Sequence, residues 1–249
     1  MLGLLSILTV GFFLGMRHAT DPDHVIAVST IVSRHRSMQQ AALIGAIWGV
    51  GHTITIFAVG SGIILFGWVI PARLGLSMEL TVGLMLILLG ALNLTGMLDW
   101  LTRNFGHARS HHHGSETRPH APADNSLRKL DRKFGRLGIY HIIRPLIVGL
   151  VHGLAGSAAV ALLVLATIGN AKWAVVYLLV FGAGTIAGMM LITGAIGAPL
   201  AYRRGEIPWL GRGLRTVSGV ISVAFGFFLV YQIGFVNGLF TGHPHWTPS

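Results

Sequence analysis

Cysteine is missing from all 249 residues, which excludes disulfides, thiolate metal sites and redox chemistry through sulfur. Charge is scarce as well. Only 10% of the residues are Asp, Glu, Lys or Arg, against about 25% in an ordinary soluble domain. A water-soluble enzyme of this length needs many more charges to coat its surface. Acidic side chains are the scarcer sign, 8 against 18 Lys and Arg, for a net charge of +10. That surplus does not point to nucleic acid, because the basic residues gather in connections between apolar runs, where membrane topology explains them. No GxxxxGK[ST] run occurs, so any nucleotide hydrolysis belongs to a partner.

In place of charge the chain carries 53% hydrophobic residues and a mean hydropathy of +0.69. About 20 apolar residues cross the hydrocarbon of a bilayer. Six segments meet that length: 2–33, 41–69, 77–98, 142–169, 173–200 and 214–240. The expected fold is therefore an all-α integral membrane protein with six transmembrane helices. The first run lacks a basic stretch before it and leads into charged residues rather than a cleavage site, so it reads as a mature helix and not a signal peptide. Residues 99–141 form a polar connection rich in His and basic residues, followed by a short outer tail at 241–249.

Lys and Arg fall unevenly across the two sides. Connections after spans 1, 3 and 5 hold Arg34, Arg36, nine residues from Arg103 to Arg144, and Arg203, Arg204, Arg212 and Arg215; the other side has Arg73 and Lys172. The positive-inside rule then places both termini outside a plasma or inner membrane and the His-rich loop in the cytoplasm.

The two halves echo each other. "GMRHATDPDHVIAVSTIVS" pairs with "GLVHGLAGSAAVALLVLAT", aligning His18 with His152. "GHTIT" pairs with "AGTIAG", aligning Thr53 with Thr185, and the spacing of Gly83 and Gly90 matches that of Gly219 and Gly226. Three spans per half imply inverted repeats, 1–98 and 142–240, an arrangement that holds a midplane site in many transporters.

The stretch "RHATDPDH" places Arg17, His18, Asp21, Asp23 and His24 inside the first apolar run. On a straight helix His18 and His24 lie about 60° either side of Asp21, and Asp23 points elsewhere. Pro22 removes a backbone donor, so a bend is expected that turns Asp23 inward. Broken helices at membrane depth line a cavity or are buried in protein. Imidazole and carboxylate together, without sulfur, suit a borderline divalent ion such as Ni²⁺, Co²⁺ or Zn²⁺. His52 and His152 are the other ionisable side chains deep inside a span. Blander roles stay open: an ion-pair cluster of Arg17 with the aspartates, or His52 and His152 as simple hydrogen-bond partners between helices. The loop histidines His107, His111, His112, His113 and His120 either gather metal or are neutral filler.

Residues 18–24 resemble the HX4DH signature of the NicO nickel/cobalt transporters, with Pro22 where Ala is usual. "GHT" at 51–53 is similar to that family's second motif. The short, urease-accessory-type branch pairs such a first motif with "GLVHGLAGSAA", which stands here at 149–159. The resemblance implies transport of Ni²⁺ or Co²⁺ as bound substrate, without a prosthetic group. His18, Asp23 and His24 would be ligands, with Asp21 and His52 in support. The longer permeases carry an acidic D-T-A-T-E motif where this chain has Ala155–Ala159, so two carboxylates are missing and His152 is the candidate to compensate. Uptake is the expected direction, with efflux by the same fold as the alternative. The expected surroundings are the lipid bilayer, with a metallochaperone or a second copy of the chain as partner. Three rivals share these residues: an intramembrane metal-dependent enzyme with Asp23 as base, a haem carrier using His18, His52 or His152, and a scaffold for metallochaperones.

Overall fold

The computed structural model describes residues 2–32, 37–68, 70–97, 142–155, 168, 170–202 and 208–246, and among them every regular element is helical. In chain order these are α1 (Leu2–His18), α2 (Pro22–Val32), α3 (Met38–Phe66), α4 (Ala72–Leu94), α5 (Ile142–Ala155), α6 (Ala171–Tyr202) and α7 (Pro208–Tyr231). A single π-turn, Gln232–Val236, follows α7. Four stretches are long and apolar enough to cross a bilayer: Met38–Phe66, Ala72–Leu94, Ala171–Ala198 and Gly213–Val236. The loop 99–141 with its five histidines, Arg34, Arg36, Arg203 and Arg204 lie outside the described residues, as do positions 156–159 of the second glycine-rich motif.

Local chemistry sets the helix ends. Ser37, extended at φ −141° and ψ 139°, caps α3 by accepting from the Gln40 N–H, and Gly67 closes it in the left-handed region at φ 63°. Pro71 opens α4, which therefore starts at Ala72, five residues ahead of the apolar run. The first apolar run is two helices. Pro22 stands at the first position of α2, where its missing N–H costs nothing. The His18 carbonyl accepts instead from the Asp21 N–H (3.1 Å), and Thr20 Oγ1 donates to the Arg17 carbonyl (2.6 Å). Residues 19–21 are thus a break between two helices.

Small residues bring the backbones together. A Cβ on Gly15 would strike the Phe181 carbonyl of α6, and one on Gly184 would strike the Phe12 carbonyl of α1. The same exchange joins α5 to α3: a Cβ on Gly149 would meet the Trp48 carbonyl, and one on Gly51 the Leu146 carbonyl. Between α3 and α6, Gly49 faces Ile186 and Gly182 faces Thr53. Between α4 and α7, Gly83 meets the Gly226 carbonyl and Gly90 the Gly219 carbonyl. The order of these contacts makes α1 run parallel to α6 and α5 parallel to α3. The pairs α3–α6 and α4–α7 are antiparallel.

Two apolar clusters flank a polar layer along α3. One gathers Ile44 and Trp48 with Ala27, Val28, Leu86, Val148 and Met189; the other gathers Ile56 and Ile64 with Ala174, Tyr177, Leu178 and Phe181. His52 lies between them, fourteen residues from either end of α3, or roughly 21 Å from each at 1.5 Å per residue. At the far end the tail folds back: the Trp246 indole covers Gly75 and donates to Glu79 Oε1 (2.8 Å).

Candidate metal centre

Four helices converge on the polar layer. α1 contributes His18 as its last residue. α2 contributes Asp23 and His24 from its first turn, where a carboxylate suits the helix dipole. His52 comes from the middle of α3, and His152 from α5 where Gly149 and Gly153 press that helix onto Trp48 and His52. The break at residues 19–21 makes this meeting possible, because one straight helix would turn Asp23 away from the face that His18 and His24 share.

Hydrogen bonds tie the group together. His18 Nε2 lies 3.1 Å from His52 Nε2. Asp23 bridges two imidazoles, with Oδ2 at 2.9 Å from His152 Nε2 and Oδ1 at 3.1 Å from His24 Nδ1. Oδ1 also accepts from the His24 backbone N–H (3.0 Å). Asp21 pairs with His18 Nδ1 at 2.7 Å and stands 46% exposed, at the rim. Such a carboxylate fixes an imidazole's tautomer and leaves the opposite nitrogen to bind.

The remaining imidazoles are buried. His24, His52 and His152 are 2%, 0% and 1% exposed. One nitrogen on each, His24 Nε2, His52 Nδ1 and His152 Nδ1, is buried without a hydrogen-bond partner. An orphaned buried polar atom costs about 1–3 kcal/mol, a cost that a bound ligand or water relieves. Ring centres lie 4.1 Å apart for His24 and His152, 4.8 Å for His18 and His24, and 5.0 Å for His24 and His52. Two sets of three side chains, His18–His24–His52 and Asp23–His24–His152, each offer donor atoms within 4.8 Å of one another. Two ligands of one ion at bonds of about 2.0–2.1 Å sit about 2.9–3.4 Å apart. The 2.9 and 3.1 Å contacts here already match that bite.

All six candidate side chains are therefore neighbours, though not in one role. Asp21 touches His18 alone, and Asp23, which a straight helix would turn away, stands in the centre. Arg17 is exposed and the aspartates pair with histidines, so the ion-pair cluster is not what the chain builds. Sequence reading missed Trp48. Its indole is fully buried, stacks on His24 with ring centres 5.9 Å apart and meets His152 edge-on at 5.6 Å. Its position four residues before His52, on the same face of α3, was the available signal.

Comparison with protein families matches residues 4–204 to the family described as high-affinity nickel-transport protein, NicO. The urease accessory protein UreH of Bacillus sp. (strain TB-90) is 37% identical over 237 residues, 95% of this chain and 96% of its own length. Two chloroplast proteins of Arabidopsis thaliana, FOR GROWTH AND FERTILITY 1 and 2, are each 24% identical. The chain spans 60% and 56% of their lengths. No solved structure matches.

Proposed function

Because the chain belongs to the high-affinity nickel-transport family, NicO, and is a metal-transport protein rather than an enzyme, we propose that its His/Asp pocket is the transport site. The cargo is a divalent transition-metal cation, Ni²⁺ or Co²⁺, with nickel favoured by the family. The observation that carries this reading is the buried meeting of four imidazoles and one carboxylate midway along α3. Donors of that kind suit a borderline ion, and Ca²⁺ or Mg²⁺ would want more oxygen. His18, Asp23, His24, His52 and His152 bind the ion, and Asp21 orients His18.

The scaffold we propose is a six-span protein of two inverted repeats, 1–98 and 142–240. Helix contacts support it: α1 on α6 is mirrored by α5 on α3, glycine to carbonyl in both directions. Under that symmetry Gly15 against Phe181 and Thr185 corresponds to Gly149 against Trp48 and His52. His52 then stands opposite Thr185, one residue away from the Thr53–Thr185 pairing that the sequence suggested. α1 ends at His18 beside the site, as expected for transporters with discontinuous helices. The basic connections, the His-rich loop among them, face the cytoplasm, both termini face outward, and the loop histidines are a handover point for the ion or a metallochaperone.

In this mechanism hydrated metal reaches the rim near Asp21, exchanges water for imidazole and carboxylate, and leaves when the repeats rock. Inward movement is the working direction. Uptake of radioactive nickel and cobalt, by cells or proteoliposomes holding the native chain, His24→Ala or His52→Ala, tests it. Loss of uptake in both variants is expected, equal uptake overturns the site, and lower retention in cells making the native chain reverses the direction.

A further inference from the structure

The donors of the pocket fall into two triads. His18, His24 and His52 form one; Asp23, His24 and His152 form the other. Among the described residues no larger group keeps its donor atoms within 4.8 Å of one another, and donors of a single shell lie within about two bond lengths, about 4.2 Å.

The two triads differ chemically. The first is all nitrogen, and its His18 is 18% exposed beside the rim carboxylate of Asp21. In the second, the Asp23 carboxylate, 27% exposed, brings negative charge, and His152 is 1% exposed. Different helices supply part of each set, with His18 from α1 in the first and His152 from α5 in the second. His24 is common to both. Asp23 Oδ1 engages its Nδ1, and its Nε2 is buried with no partner.

From this arrangement we infer that the pocket is a two-station relay, in which one divalent cation passes from His18–His24–His52 to Asp23–His24–His152 while His24 stays bound. The inference rests on the transport reading above and specifies how that site works. A bare cation set free among apolar walls would carry a large desolvation cost. Retaining one ligand while two are exchanged for two avoids that state. Charge neutralisation by Asp23 draws the ion toward the second station. Because His24 is shared, the stations are occupied one at a time, and movement of α1 or α5 opens only one of them.

The test uses the full chain in nanodiscs with Co²⁺ as probe, because its visible d–d spectrum reports the donor set. The native chain is expected to bind one Co²⁺ and, on rapid mixing, to show two sequential spectral phases. His18→Gln and His152→Gln are each expected to bind one Co²⁺ with spectra that differ from each other, while cobalt uptake falls at least about tenfold. Two ions bound at once, a single spectral phase in the native chain, or the same spectrum in both variants would overturn the relay. The native measurements stand even where a variant fails to fold. A native chain that neither binds nor moves cobalt or nickel would overturn the transport reading instead.

Discussion

Gly149→Ala concentrates the packing argument in one methyl group. The added Cβ would run into the Trp48 carbonyl oxygen and stand 2.6 Å from Trp48 Cδ1 and 3.0 Å from His52 N. Carbon atoms settle at about 3.5–4.0 Å, so α5 must retreat from α3 by about 1 Å. His152 rides on α5 three residues later. Moved with it, its Nε2 would sit nearly 1 Å beyond the present 2.9 Å from Asp23 Oδ2, outside hydrogen-bond range. A 1 Å displacement of a functional group costs about 100-fold in well-positioned sites, so nickel uptake should fall by about 10- to 100-fold at equal protein level. Gly194→Ala is the control. It also lies in a long apolar helix, but its Cβ would meet only Ala42 Cβ at 3.8 Å and Met38 Cγ at 3.9 Å. It should transport as the native chain does, and gain slightly in stability through better helix propensity. Radioactive nickel uptake with quantified membrane protein measures both. Native-like transport by Gly149→Ala would refute the claim that backbone contact between α5 and α3 positions the site.

Asp23→Asn keeps the shape but removes the charge shared between His24 and His152, and should weaken nickel affinity by about 10- to 100-fold in an isothermal titration. Ligand imidazoles must be neutral to bind metal, so lowering the pH below the range in which they shed their protons should weaken loading. The fall should approach about tenfold per pH unit for each proton displaced; affinity untouched by acidification all the way to the pH at which the chain unfolds would argue against histidine ligands. Glu79→Gln weakens the 2.8 Å bond from Trp246 that fastens the tail to α4, and should lower stability by about 1 kcal/mol in a thermal unfolding assay while leaving nickel affinity unchanged.

The spans and the site were legible to very different depths. Long apolar runs announce membrane helices because lipid accepts little else, and the described long helices follow them with ends moved by Ser37 and Pro71. Ionisable residues inside such runs announce a site because each is costly there, and His18, Asp23, His24, His52 and His152 are indeed neighbours. Pro22 told where the first run breaks. It did not tell that Asp21 would turn to the rim while Asp23 moved to the centre, since that depends on how α2 packs against α4, α6 and α7. The wall made by Trp48 was hidden for a related reason. A tryptophan in an apolar helix looks like any other bulky residue until a partner helix arrives, and Gly149 brings that helix. Glycine contacts have no side-chain periodicity to read, so which spans touch came from coordinates alone.

The break after His18 bears on how the protein moves. Two short-range backbone bonds, Thr20 N–H to Arg17 carbonyl and Asp21 N–H to His18 carbonyl, tighten the turn between α1 and α2, while Ala19 N–H to Gly15 carbonyl and Val25 N–H to Asp21 carbonyl tie its ends to the two helices. Swinging α1 against α2 therefore concentrates the bending strain on a three-residue hinge already in place. That hinge adjoins His18 and Asp23, so in the proposed transport cycle pivoting and release of cargo would be mechanically one event.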